Sequence, residues 1–165
     1  MPSRRTPPDR QAQPASELEA ARAAAIALLA RRDFASSELR TRLTARGCDP
    51  AMAAAVTAEL IESHTLDDAR FAANYVAYHA NRGQGPVRIA AELRSLGVAA
   101  GLIEEALACG PEWRALAARE QQRKFGSARP QSWAEKARQA RFLQYRGFSA
   151  DDIRSVLDAD IDSQT

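Results

Sequence analysis

Few residues in this chain have the type and spacing that bond-making chemistry requires. Two carboxylates, Asp67 and Asp68, stand side by side, and the only histidines are His64 and His79. General acid–base work needs titratable groups converging on one cleft. Adjacent helical positions instead splay Asp67 and Asp68 by roughly 100°. Neither histidine has a cysteine or serine placed for nucleophilic catalysis. Cys48 and Cys109 form no CxxC pattern, and the histidines match no metal-ligand spacing. These residues predict a protein that is not an enzyme, with no metal and no cofactor, reduced and cytoplasmic.

Charge offers a different chemistry. The formal net charge is +2 over 165 residues, but it is unevenly spread. Residues 111–157 hold ten basic and five acidic side chains, and the tail from Asp158 adds three aspartates. That asymmetry points to an anionic partner at the third part of the chain. Arg138, Arg141 and Tyr145 are spaced i, i+3, i+7, so they share one helical stripe. Trp133, Ala137, Ala140 and Leu143 are expected on the adjoining apolar face. Arg119 and Arg123 stand one turn apart on the preceding helix, and Arg129 and Lys136 flank the connection. Arginines beside an exposed aromatic suit phosphates or an acidic protein surface. The bland alternative is that they only solubilise an alanine-rich helix. Arg40, Arg42 and Arg46 offer a weaker set, offset by nearby acids.

The elements that must carry these residues repeat. Gly47, Gly97 and Gly147 recur every 50 positions. Four residues before each stands Leu43, Leu93 or Leu143; eight before stands Leu39, Ile89 or, departing from the pattern, Gln139. Ala53, Ile103 and Ile153 follow each glycine by six, and Val56, Ala106 and Val156 by nine. Steps of three and four are the helical period. A glycine between two such runs fits the left-handed residue that ends a helix. A further helix precedes each pair: roughly Glu17–Arg32, Asp67–Arg82 and Pro111–Phe125. Ser16 with Glu19, Thr65 with Asp68, Ser132 with Glu135 and Ser149 with Asp152 read as capping boxes. Pro50, Pro86 and Pro111 fit first helical positions.

The expected organisation is therefore all-α, three tandem three-helix repeats at 17–66, 67–110 and 111–157. A basic disordered tail (1–16) precedes them and an acidic tail (158–165) follows. The connection from Gly126 to Gln131 is longer than its counterparts at Asp33–Ala35 and Gly83–Gly85. The apolar run Ala23–Ala30 is far short of the ~20 residues that span a bilayer. It ends in an arginine pair, so it reads as a buried helix and not as a signal segment.

The string Leu66-Asp67-Asp68-Ala69-Arg70-Phe71-Ala72 is the most specific one in the chain. Physically it is a helix start, with acids at the positive end of the helix dipole. Phe71, Tyr75 and Tyr78 then form what reads as a buried stripe. With Arg82-Gly83 and the pattern Ile89, Leu93, Gly97, Ile103, Leu107, this string resembles the RecX family of recombination regulators. Phe34 through Gly47 looks like that family's opening helix pair, and Ala137 through Ile153 like its closing repeat.

The resemblance implies an elongated, curved array of three three-helix repeats. Its signature residues Leu66, Asp67, Asp68, Arg70, Phe71, Arg82 and Gly97 would be mainly structural. It implies a regulator that binds the RecA–DNA filament and modulates, most often inhibits, recombinase, ATPase and co-protease activity. A monomer that contacts RecA, with single- or double-stranded DNA as a further partner and no membrane, follows from that reading. Helices of about 16 residues, each ~24 Å long, would let stacked units reach several filament subunits. The rival reading is a helical-repeat nucleic-acid-binding protein acting without RecA, whose affinity would fall steeply with salt.

Overall fold

A computed structural model describes residues 12–158. Among these residues are nine helices and no strand. They are α1 (Ala12–Leu29), α2 (Ser36–Ala45), α3 (Pro50–Glu62), α4 (Asp68–Asn81), α5 (Pro86–Ser95), α6 (Ala100–Ala108), α7 (Trp113–Phe125), α8 (Trp133–Arg146) and α9 (Ala150–Asp158). No helix among the described residues is long and apolar enough to cross a membrane. The chain divides into two compact units, one ending at Asp68 and the other starting at Ala69. The first repeat forms one unit, and the second and third repeats together form the other.

The repeating motif is a helix stop made the same way three times. Gly47, Gly97 and Gly147 have φ of 93°, 80° and 93°. In each case the glycine N–H donates to the carbonyl three residues back: Thr44, Arg94 and Gln144. The following N–H, of Cys48, Val98 and Phe148, donates to Leu43, Leu93 and Leu143 at 3.1 Å. This paired bonding is the Schellman motif, which satisfies carbonyls that a helix end leaves open. The three leucines beneath it are fully buried, so each turn is fastened from below by packing and from above by hydrogen bonds.

Within the first unit, α1 presents Leu18, Ala21, Ala25 and Leu28 at helical spacing to Leu39, Leu43, Ala53, Val56 and Leu60. Ala25 and Leu28 come from the apolar run, and Ile26 on the opposite side is exposed. The buried-helix reading therefore holds for one face. Asp49 accepts from the N–H groups of Ala51 and Met52 and starts α3 with Pro50 at its first position. Arg32 lies 3.7 Å over the Phe34 ring and grips Glu38 through both guanidinium nitrogens, at 2.5 and 3.1 Å.

In the second unit α5 packs on α6, while α7, α8 and α9 pack on one another. Its buried side chains include Phe71, Val76, Ile89, Leu93, Ile103, Leu116, Leu143 and Phe148. Ser149 and Asp152 form the expected reciprocal capping box. Ser132 accepts from the Glu135 N–H, but the Glu135 carboxylate reaches Gln131 N and not Ser132 N.

Several boundaries differ from expectation. α1 starts at Ala12, so residues 12–16 belong to a helix and Ser16 caps nothing; the rest of the expected basic tail, and the acidic tail past Asp158, lie outside the described residues. Pro111 precedes α7, whose start is capped by Glu112 accepting from Arg114 N and Ala115 N. The helices run from 9 to 18 residues, mostly shorter than the expected 16, because the glycine turns and prolines cut them early.

Candidate partner-binding surface

The basic stripe on α8 exists, but its members differ in what they already hold. Arg138, Arg141 and Tyr145 are all exposed, Tyr145 to 77%. Arg138 places its guanidinium 5.2 Å over the Phe125 ring, which is itself edge-on to Phe142 at 5.4 Å. Tyr145 lies against the Arg88 guanidinium, whose pKa is raised chiefly by its hydrogen bond to Glu92. Arg141 has no ion-pair partner among the described residues. On α7, Arg119 is exposed, whereas Arg123 donates to Glu120 at 2.6 Å. Lys136 is paired with Asp158, tying α8 to the end of α9. Arg129 lies in the loop after α7, against a cleft that α7 and α9 also line. The candidates that keep an exposed, uncommitted charge are therefore Arg119, Arg138 and Arg141.

Two aromatic expectations are corrected. Trp133 does not line a buried face: it is 83% exposed at the first residue of α8, while Leu143 three turns on is buried. Tyr78 is 58% exposed and does not complete a buried stripe with Phe71 and Tyr75. It sits beneath Arg82, which donates to its hydroxyl at 3.1 Å. Tyr75 is half-buried, stacked on His79 at 4.1 Å with its hydroxyl donating to Glu92 at 2.9 Å.

The Arg82-Gly83 element has a specific structural task, and residues not singled out in the sequence complete it. Glu120 is 1% exposed and is paired with Arg123 and with Arg146 at 2.9 Å. Arg146 also donates to the Arg82 carbonyl at 3.1 Å. The Glu120 carboxylate rests directly on Gly83, where an added Cβ would lie 2.3 Å from its Cδ. Next to it, Gly85 N donates to Arg146 O at 2.8 Å and Val87 N to Gly147 O at 3.0 Å. Here the backbone of the second repeat meets the glycine turn of the third, with no room for side chains. One signal for Glu120 is visible in hindsight. It occupies the i+7 place of the stripe Trp113, Leu116, Ala117, where helical periodicity calls for an apolar residue. Gln139 follows the same logic: it is buried where its counterparts are Leu39 and Ile89, and it accepts from Gln121 Nε2 at 2.9 Å.

Leu66 is buried in the core of the first unit. Asp68 does not form a box with Thr65; its two oxygens accept from Ser36 N at 2.7 Å and Ser36 Oγ at 2.6 Å. The residue before α2 is Ala35, which has no capping side chain, so Asp68 supplies from a distance the acceptor that this helix start lacks. Phe71 is buried and Arg70 is exposed. No group of three or more histidine, cysteine or acidic side chains suited to a metal occurs among the described residues.

Family models for the first, second and third three-helix domains of RecX match residues 21–60, 67–107 and 112–157, in that order. The chain belongs to the RecX family. A regulatory protein RecX from Halorhodospira halophila is 46% identical over 142 residues, covering 86% of this chain and 88% of that protein. One from Pseudomonas savastanoi pv. phaseolicola is 41% identical, with 84% and 90% covered. The crystal structure of RecX from Lactobacillus salivarius superposes with a TM-score of 0.75 at 20% identity, covering 88% of this chain and 99% of that one. Each of the three matched ranges contains one of the glycines Gly47, Gly97 and Gly147. The relatives are named as regulatory proteins.

Proposed function

We propose that this RecX-family protein binds the RecA–DNA filament in the cytoplasm and restrains its recombinase, ATPase and co-protease activities. The observation that carries this reading is the ordered match of all three RecX domains over the repeats. The physical chemistry agrees with a binding role. The third repeat offers Arg119, Arg138, Arg141 and Tyr145 to an anionic partner. Arg123 and Lys136 are occupied by internal ion pairs, so they contribute positioning more than contact.

The decisive experiment is a RecA strand-exchange and ATPase assay titrated with the purified protein. Both activities are expected to fall as the protein approaches stoichiometry with RecA. The double variant R138E/R141E should shift the titration to higher concentration while its circular dichroism is unchanged. No effect of the wild-type protein in excess would sink the proposal. Binding to DNA alone that accounts for the whole effect, with a salt slope of about −0.9 per phosphate neutralised, would favour the RecA-independent alternative.

A further inference from the structure

A groove of about 510 Å³ runs between α8 and α9 and reaches the start of α5. Val87, Ala140, Phe148, Ala150 and Ile153 give it apolar walls, and Val87 is 55% exposed. Trp133, Ala137, Ala140 and Gln144 are spaced i, i+4, i+7 and i+11, so they share the stripe of α8 that borders the groove. Trp133, 83% exposed, therefore stands at one end of that stripe. Cations flank the trough. Arg141 lies one turn beyond Ala137 and makes no ion pair among the described residues. Arg154 lines the α9 side and meets Asp151 at 3.1 Å, both side chains lying open to solvent. A pair so exposed is worth little, so Arg154 can exchange Asp151 for another carboxylate. The neighbouring Asp152 is engaged by Ser149 as the cap of α9. The frame around the groove is held from both ends: Val87 N donates to Gly147 O at 3.0 Å, and Lys136 is paired with Asp158.

We propose that this groove seats an acidic amphipathic helix of a RecA protomer, between Trp133 at one end and Val87 at the other. An exposed tryptophan, an apolar trough and arginines at its edges match the anatomy of a binding hot spot with a polar rim. Aliphatic walls offer nothing to a phosphate, so the trough takes apolar side chains and leaves carboxylates to Arg141 and Arg154. A furrow between two packed helices receives a third by fitting its ridge of side chains. Ala137, Ala140 and Ala150 are small enough to let that helix approach closely. Walls already fixed by the Gly147 and Lys136 contacts lose little freedom on binding. The inference rests on the RecA reading above and deepens it, naming the docking face and the chemistry of the contact.

The full-length protein is titrated onto RecA filaments preassembled on single-stranded DNA, and binding is read by interferometry. W133A removes a side chain that packs on nothing and should weaken binding by about tenfold or more, as truncation of a hot spot does. A140L fills the trough and should weaken it similarly, with circular dichroism unchanged for both. I61A trims an exposed apolar side chain of the first unit and should leave the affinity as it is. Hydrogen exchange on RecA in the complex should show one helix, bearing acids beside apolar residues, protected by the wild-type protein and not by W133A. If W133A and A140L bind as tightly as the wild type, the groove assignment falls while the RecA reading stands; if the wild type does not bind, both fall. Equal weakening by I61A, or protection of a RecA segment without acids, also overturns the proposal. So does a dimer seen in light scattering that A140L abolishes, which would give the groove to a second copy of this chain.

Discussion

At the scale of single residues, the second unit depends on polar groups that composition alone would leave at the surface. Glu120 is buried and held by Arg146 and Arg123. Removing it strands Arg146, whose Nε is already buried without a hydrogen-bond partner. Glu120→Ala is expected to destabilise the fold by about 3–5 kcal/mol, the range for breaking one side of a buried ion pair, read from urea denaturation. Glu92 gives a pH signature. Burial raises its pKa, but hydrogen bonds from Arg88 and Tyr75 and the nearby His79 outweigh that and hold it below the ordinary carboxylate value of 4.5. A carboxyl depressed on folding stabilises the protein above its unfolded pKa and loses that contribution as pH falls through the folded one. Stability should therefore decline below about pH 5. Glu92→Gln should flatten that part of the profile in denaturation curves collected from pH 7 downwards.

At the scale of elements, three turns share one backbone geometry but differ in what surrounds them. All of Gly47, Gly97 and Gly147 need positive φ, and an alanine there costs about 1–2 kcal/mol from backbone conformation alone. A Cβ at Gly47 meets nothing within 4 Å, whereas one at Gly147 lies 2.2 Å from Arg88 Cβ. Gly147→Ala should therefore lower the melting temperature distinctly more than Gly47→Ala; equal losses would mean that the close approach at Gly147 is relieved cheaply. The sequence made the turns legible because a left-handed helix stop has a local cause: glycine after an apolar helical run. Helix starts were less legible. Asp68 caps α2 from 32 positions away, and a window of a few residues cannot show an acceptor that distant. Trp133 and Tyr78 were misplaced for a related reason. Periodicity gives the stripe of a helix on which a residue lies, but not whether another helix covers that stripe.

At the scale of the whole molecule, three repeats of sequence become two units of packing, divided after Asp68. Leu43 and Leu143 are equivalent in the repeat and both fully buried, but each belongs to a different unit. Leu43→Ala should reduce hydrogen-exchange protection by about 2–5 kcal/mol in residues 12–68, and Leu143→Ala by a similar amount in residues 69–158. If either variant lowered protection evenly throughout, the two units would be one cooperative body. The sequence by itself determined the all-α class, the glycine-centred repeats and the basic third repeat. Each of these follows from local propensity, periodicity or charge, which are properties of neighbours along the chain. Only the tertiary structure decided which arginines are already occupied, why Gly83 and Gly85 stand where they do, and that Glu120 is a buried acid. Those outcomes depend on groups brought together from distant positions, such as Arg146 reaching the Arg82 carbonyl 64 residues away. Such a contact is set by packing, and no stretch of sequence contains it.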